Sequence, residues 1–310
     1  MKRPIFFSEF LLFLTALIWG LSFVAQRKGM EFVGPFIFNG IRFGLGSISL
    51  IPLLFLKSNK NNTKKISNKK PGISLIVGSF YLGIVLFLGA TLQQIGIINT
   101  TAGNAGFITS LYVVFTPLIG LFFKQKPDKQ VWAGIILATV GLYFLSVSGN
   151  FTVSSGDILV FLSSIFFAAH VLLISWLSPK FNVILISIIQ FSITSVLSLI
   201  IAFVSEEIIW ENIKLAAIPI LYGGIMAVGV AYTLQVFAQQ KAKPSHAAII
   251  LSFEALFAAV GGWLILNEIF TLREVGGCIL MLFGIIVAQV KLKKFGAQIT
   301  KINTNFRGKN

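Results

Sequence analysis

The chain has 310 residues, 56% of them hydrophobic and only 11% charged, with a mean hydropathy of +0.89. A soluble domain carries about 25% charged residues, so this composition excludes one and points to an integral membrane protein. The net charge of +15 does not argue for nucleic acid, because the basic residues stand in short runs between apolar segments rather than on a folded basic face.

Ten apolar segments follow one another, each near the ~20 residues that a bilayer crossing needs. They fall at about 8–26, 35–56, 72–94, 101–123, 130–147, 157–177, 183–204, 215–238, 245–267 and 272–290. Met1–Pro4 is basic, but the apolar run after it is too long for a signal peptide and shows no clear cleavage site. Only Asn59–Lys70 forms a polar linker of any length, and joins such as Ser148–Gly156 leave no room for a soluble domain. The single cysteine, Cys278, lies inside the last apolar run, so no disulfide or cysteine-based zinc site is expected, and packing accounts for it.

Lysine and arginine set the expected orientation. With the N-terminus inside, twenty of the 25 basic residues fall on the inner side. Only Arg27, Lys28, Lys214 and Arg273 fall outside, and Arg42 stays within a span. Both termini are therefore expected in the cytoplasm, with the chain in the plasma (inner) membrane.

The sequence also repeats. A shift of 142 residues lays Thr91-Leu92-Gln93 on Thr233-Leu234-Gln235, Ser110 on Ser252 and Phe115 on Phe257. A shift of 148 lays Leu14 on Leu162, Arg42 on Gln190 and Phe43 on Phe191. The expected architecture is an all-α integral membrane protein of ten transmembrane helices. Its two five-helix units are 1–147 and 148–310, the second with a basic cytoplasmic tail. An odd number of spans inverts the second unit, and inverted repeats with a midplane site at their interface mark many transporters, and some channels too.

Within the ninth segment Glu254 is ten residues from Pro244 and fourteen from Glu268, so it lies roughly 15 to 20 Å from either end. An ionised group at that depth costs about 2.5–3.5 kcal/mol on insertion scales, so it is expected to face a partner or a wet cavity. Arg42 lies seven residues after Pro35, roughly 10 Å below the opposite surface. In a core of about 30 Å the two are within about 5 Å in depth. Two readings are open: both face a solute cavity, or they form a buried ion pair.

The Arg42-Phe43 pair, the run TTAGNAGFITSLYVVFTPL (Thr100–Leu118), and SFEALFAAVGGWLILNE (Ser252–Glu268) with Leu272 and Gly276 together resemble the EamA branch of the drug/metabolite transporter superfamily. The resemblance covers nearly the whole chain. It implies ten helices around a central cavity and export of amino acids, metabolites or drugs. Members of that branch often have proline after the buried glutamate; here it is Ala255, and a straighter ninth helix is expected.

Arg42 is the candidate for a carboxylate or phosphate, through its planar donors, and Glu254 for an amine or a proton. Trp19, Asn104, Tyr112, Tyr232 and Gln235 are further solute-binding candidates, with Ser22 on the face of Trp19. An aromatic ring there can hold a cation, or it can simply pack. Gln93, Gln94 and Gln239 are gate candidates or interfacial residues. His170 is a proton relay to Glu254 or a structural histidine. Gly40 and Gly44 read as close helix packing. The expected mechanism is alternating access, with a small-molecule solute and the lipid bilayer as partners, no nucleic acid, no cofactor and no metal. No phosphate-binding loop couples the chain to ATP. Nothing resembles HExxH or GxSxG, so no enzyme is expected. A passive pore and a nucleotide-sugar carrier of the same superfamily stay open as alternatives, and the oligomeric state is compatible with a monomer.

Overall fold

The computed structural model describes residues 3–56, 73–125, 127–146, 154–266 and 272–289, and every regular element among them is helical. The linker Asn59–Lys70, the terminal Glu268 of the ninth segment and the side chain of Cys278 lie outside the described residues. The helices are α1 (Arg3–Gly29), α2 (Pro35–Leu56), α3 (Leu75–Gly96), α4 (Ala102–Ser110), α5 (Tyr112–Phe122), α6 (Lys129–Ser146) and α7 (Ser155–Leu177). There follow α8 (Val183–Ser205), α9 (Trp210–Leu215), α10 (Ala217–Leu221), a π-helical segment (Tyr222–Tyr232), α11 (Thr233–Gln239), α12 (Pro244–Leu251), α13 (Glu254–Leu266) and α14 (Leu272–Gln289).

Among the described residues, eight helical runs are long and apolar enough to cross a membrane, and they coincide with expected segments one to four and six to nine. The expected fifth and tenth segments are α6 and α14, each 18 residues, which pack against each other. Their contact is close because Gly134 and Gly284 lack side chains. A Cβ on Gly134 would stand 2.6 Å from the Ala288 Cβ, and one on Gly284 2.7 Å from the Gly134 carbonyl.

The helix starts follow the sequence. Ser74, Thr101, Ser154 and Asn182 accept backbone N–H groups of α3, α4, α7 and α8 through their side chains. Ser154 and Asp157 complete a capping box. Large apolar side chains such as Phe6, Phe55, Phe122 and Phe203 point outward. In a membrane protein these face lipid, which accounts for much of the phenylalanine content.

Small and hydroxylated residues hold the centre. Helix α2 lies along α8, and two bonds between them are reciprocal: Ser47 Oγ donates to the Ile188 carbonyl (3.2 Å) and Ser195 Oγ to the Gly40 carbonyl (2.7 Å), while Ser47 Oγ also meets Ser192 Oγ (2.8 Å). Ser195 stands 148 residues after Ser47, and Ile188 stands 148 after Gly40. Phe43 and its offset-148 counterpart Phe191 touch, with ring centroids 6.2 Å apart. Helix α1 packs on α13 and the π segment, and α7 packs on α4, α5 and α3.

The ninth span corrects one expectation. It is broken between α12 and α13, at Ser252-Phe253, although no proline is there. The Ser252 hydroxyl donates to the Ile249 carbonyl (2.8 Å), and the Ser252 carbonyl accepts Ser110 Oγ (3.3 Å). These bonds compete with the helical ladder, and the local backbone tightens: Phe253 N–H reaches the Ile250 carbonyl three residues back. The fourth span breaks the same way, with Leu111 N–H on the Ile108 carbonyl (3.2 Å). The two breaks lie 142 residues apart.

Candidate functional site

A cavity opens where the two broken spans, α1, α2, α3, α7 and the π segment converge. It encloses about 500 Å³ of non-atom space, its open mouth included. This is a narrow cleft with room for a few waters.

Local structure explains how each side chain arrives. Thr15 and Trp19 of α1 donate to the Ala231 and Ala227 carbonyls of the π segment (3.2 and 3.1 Å), and the Tyr222 hydroxyl donates back to the Ile18 carbonyl (3.0 Å). These bonds take up carbonyls in the altered register, and π segments often mark functional sites. They bring Tyr232 to the cavity with its ring 4.5 Å from Trp19, centroid to centroid. Gly20 allows α13 to approach: a Cβ there would lie 2.3 Å from the Phe257 Cβ and 2.7 Å from the Glu254 carbonyl.

Arg42 is 4% exposed, and Glu254 is 3% exposed. Both line the cavity, and no ion pair joins them among the described residues. Arg42 donates through Nε to Asn39 Oδ1 (2.9 Å), and Asn39 is itself held by the Ala90 carbonyl (3.2 Å). The guanidinium carbon lies 5.0 and 5.4 Å from the Phe43 and Phe38 ring centroids. Among the described residues, neither terminal guanidinium nitrogen has a hydrogen bond to protein. Glu254 accepts one long bond from Ser110 Oγ (3.5 Å), and the Tyr112 hydroxyl stands beside it. A buried charge needs a partner; here the two ionisable groups share a cavity and, among the described residues, do not bond to each other.

Most of the expected site residues meet in this place. Trp19, Arg42, Gln93, Tyr112, His170, Tyr232, Gln235 and Glu254 line the cavity. Gln93 donates to Thr109 Oγ1 (2.9 Å), and His170 Nε2 shares a hydrogen bond with Gln190 Oε1 (2.9 Å). Three expected residues stand elsewhere. Asn104 borders a separate surface depression with Arg27 and Asp157. Gln94 is fully buried with both amide atoms unpartnered, and it is not on the cavity wall. Gln239 is tied to the Val171 carbonyl (3.1 Å) and Ser175 Oγ (2.9 Å), behind the cavity lining rather than in it.

Gln26, Thr109 and Phe167 also line the cavity and were not singled out in the sequence. The repeat offset could have found Phe167, which lies 148 residues after Trp19. Gln26 precedes Arg27-Lys28 and reads as interfacial.

A helical membrane protein with buried ionisable residues in a cavity between its helices fits the transporter class. The EamA-like transporter family matches this chain twice, over residues 6–147 and 154–289, and the chain belongs to that family. An uncharacterized transporter of Archaeoglobus fulgidus is 34% identical over 288 residues, covering 92% of this chain and 87% of its own. The uncharacterized transporter YoaV of Bacillus subtilis is 22% identical, covering 87% and 92% respectively. One solved crystal structure shares the fold with a TM-score of 0.73 at 15% identity, over 91% of this chain and 96% of its own.

Proposed function

We propose that the chain carries a small zwitterionic metabolite, of the amino-acid type, across the plasma membrane by alternating access. The observation behind this is the unpaired Arg42 and Glu254 lining one cavity. Arg42 would hold the carboxylate, Glu254 the ammonium or a proton, and Trp19 and Tyr232 the apolar body of the solute. Outward movement and proton coupling through Glu254 and His170 belong to the same reading. The family resemblance supports export. The presence of both Glu254 and His170 in the lining of one cavity supports coupling.

The architecture in this reading is ten spans in two inverted units, 1–147 and 148–310, with both termini cytoplasmic. Contacts between repeat counterparts support it: Ser110 with Ser252, Phe43 with Phe191, and the reciprocal bonds of Ser47 and Ser195. So do cavity residues that pair at the same offsets: Trp19 with Phe167, Ser22 with His170, Gln93 with Gln235, and Tyr112 with Glu254. The skewed distribution of basic residues supports the orientation. A site lying between inverted units is open to each side in turn as they rock. The narrowness of the cleft favours a carrier over a standing pore. Comparing intracellular amino-acid pools of a deletion strain and an overproducing strain tests the reading. Export predicts a raised pool of the carried solute in the deletion strain and a lowered one on overproduction, and unchanged pools in both would count against it.

A further inference from the structure

We propose that Glu206 is a positioning residue for Arg42. Its carboxylate, supplied by the second half of the chain, caps the helix that carries Arg42 and clasps this end of the α2–α8 pair shut.

The first turn of α2 can be accounted for donor by donor. Pro35 has no N–H. Phe36 N–H donates to Glu206 Oε1 (2.9 Å) and Ile37 N–H to Glu206 Oε2 (2.8 Å). Phe38 N–H then donates to the Gly34 carbonyl (3.0 Å), which makes Gly34 the N-cap. Glycine has no side chain with which to cap, so the two orphan donors depend on a residue 170 positions away. Gly34 also makes the room: a Cβ there would fall 2.2 Å from Glu206 Cδ.

The counterpart helix does otherwise. Asn182, 148 residues after Gly34, caps α8 from its own chain neighbourhood. Its Oδ1 accepts Ile184 N–H (2.8 Å) and its carbonyl accepts Ile186 N–H (3.0 Å). One helix start thus caps itself and the matching one is capped across the two halves. A structural cap needs only the first arrangement. The second links helix integrity to the closeness of α2 and α8.

Glu206 is well placed to transmit this. It is the C-cap of α8, its own N–H bound to the Ala202 carbonyl (2.9 Å). The carboxylate therefore moves with α8, while Ile37 stands five residues, about 7.5 Å of rise, from Arg42. Parting the helices here breaks two charge-assisted bonds at once and uncovers the positive end of α2. Arg42 is the residue of α2 that lines the cavity, so a shift of α2 on loss of the clasp alters that wall and access to it; the bearing of the clasp on transport rests on the solute-carrier reading above.

The test needs no solute. Ser22, on the cavity wall, is changed to cysteine in a C278S background and labelled with a membrane-impermeant maleimide in right-side-out and inverted vesicles. E206A removes clasp and cap together. E206A/G34N returns a cap from within α2 and leaves the clasp absent. The expected result is that S22C in E206A/G34N labels at least about fivefold faster than with Glu206 intact, from the vesicle face where α2 begins, at an unchanged melting temperature. Labelling at the parent rate in a well-folded E206A/G34N, or acceleration only from the opposite face, would overturn the proposal. If counterflow fails in the parent protein, the carrier reading falls and the labelling result stands by itself.

Discussion

Arg42 and Glu254 share one cavity and do not bond to each other: each has its own polar neighbour, Asn39 and Ser110 respectively. A buried ion pair that only fastens helices would bring the charges together. R42A and E254Q are each expected to reduce counterflow at least about tenfold, a difference of about 1.4 kcal/mol, while leaving the folded yield intact. The exchange R42E/E254R separates the two views. A structural pair predicts recovered transport, and the solute-site account predicts none, because the charges would face the solute with reversed sense.

Gly20 sets the distance between α1 and α13. G20A pushes a methyl against the Phe257 Cβ and the Glu254 carbonyl, atoms fixed by the backbone that cannot swing away. Overpacking of this kind costs about 1–3 kcal/mol. A lowered melting temperature in detergent, with weaker solute binding than that loss explains, is the expected pair of results.

Ser47 and Ser195 bond across the α2–α8 contact from opposite sides, and Ser47 has Ser192 Oγ as a second partner (2.8 Å). S195A should destabilise by about 1 kcal/mol and S47A by at least as much. Thermal unfolding of the two single variants measures this, and an S47A loss well below that of S195A would contradict it.

His170 bonds Gln190 on the cavity wall. H170Q can keep that bond and cannot carry a proton. It is expected to retain counterflow and to lose acceleration by an imposed pH gradient. If uptake by the parent protein ignores such a gradient, the proton roles of His170 and Glu254 are withdrawn and the carrier role remains.

The sequence carried the spans well because a bilayer imposes a length and an apolar composition that survive any packing arrangement. Arg42 and Glu254 were legible for the same reason: a charge at that depth has few explanations. Helix irregularity was not. The break at Ser252-Phe253 depends on where the Ser110 hydroxyl lands, and the π register of Tyr222–Tyr232 depends on Thr15 and Trp19 of another helix. Glutamines were the hardest to place. Gln93, Gln94 and Gln239 look alike in sequence, yet the first lines the cavity and the other two are buried elsewhere. Which face a residue presents is decided by neighbours that no local pattern records.

The most direct measurement is solute counterflow in proteoliposomes of the purified chain, preloaded with unlabelled neutral L-amino acids and diluted into trace labelled ones. The account predicts transient, saturable accumulation of label that R42A and E254Q each reduce at least about tenfold. Flux that rises linearly with concentration, without counterflow and unaltered in both variants, would contradict it.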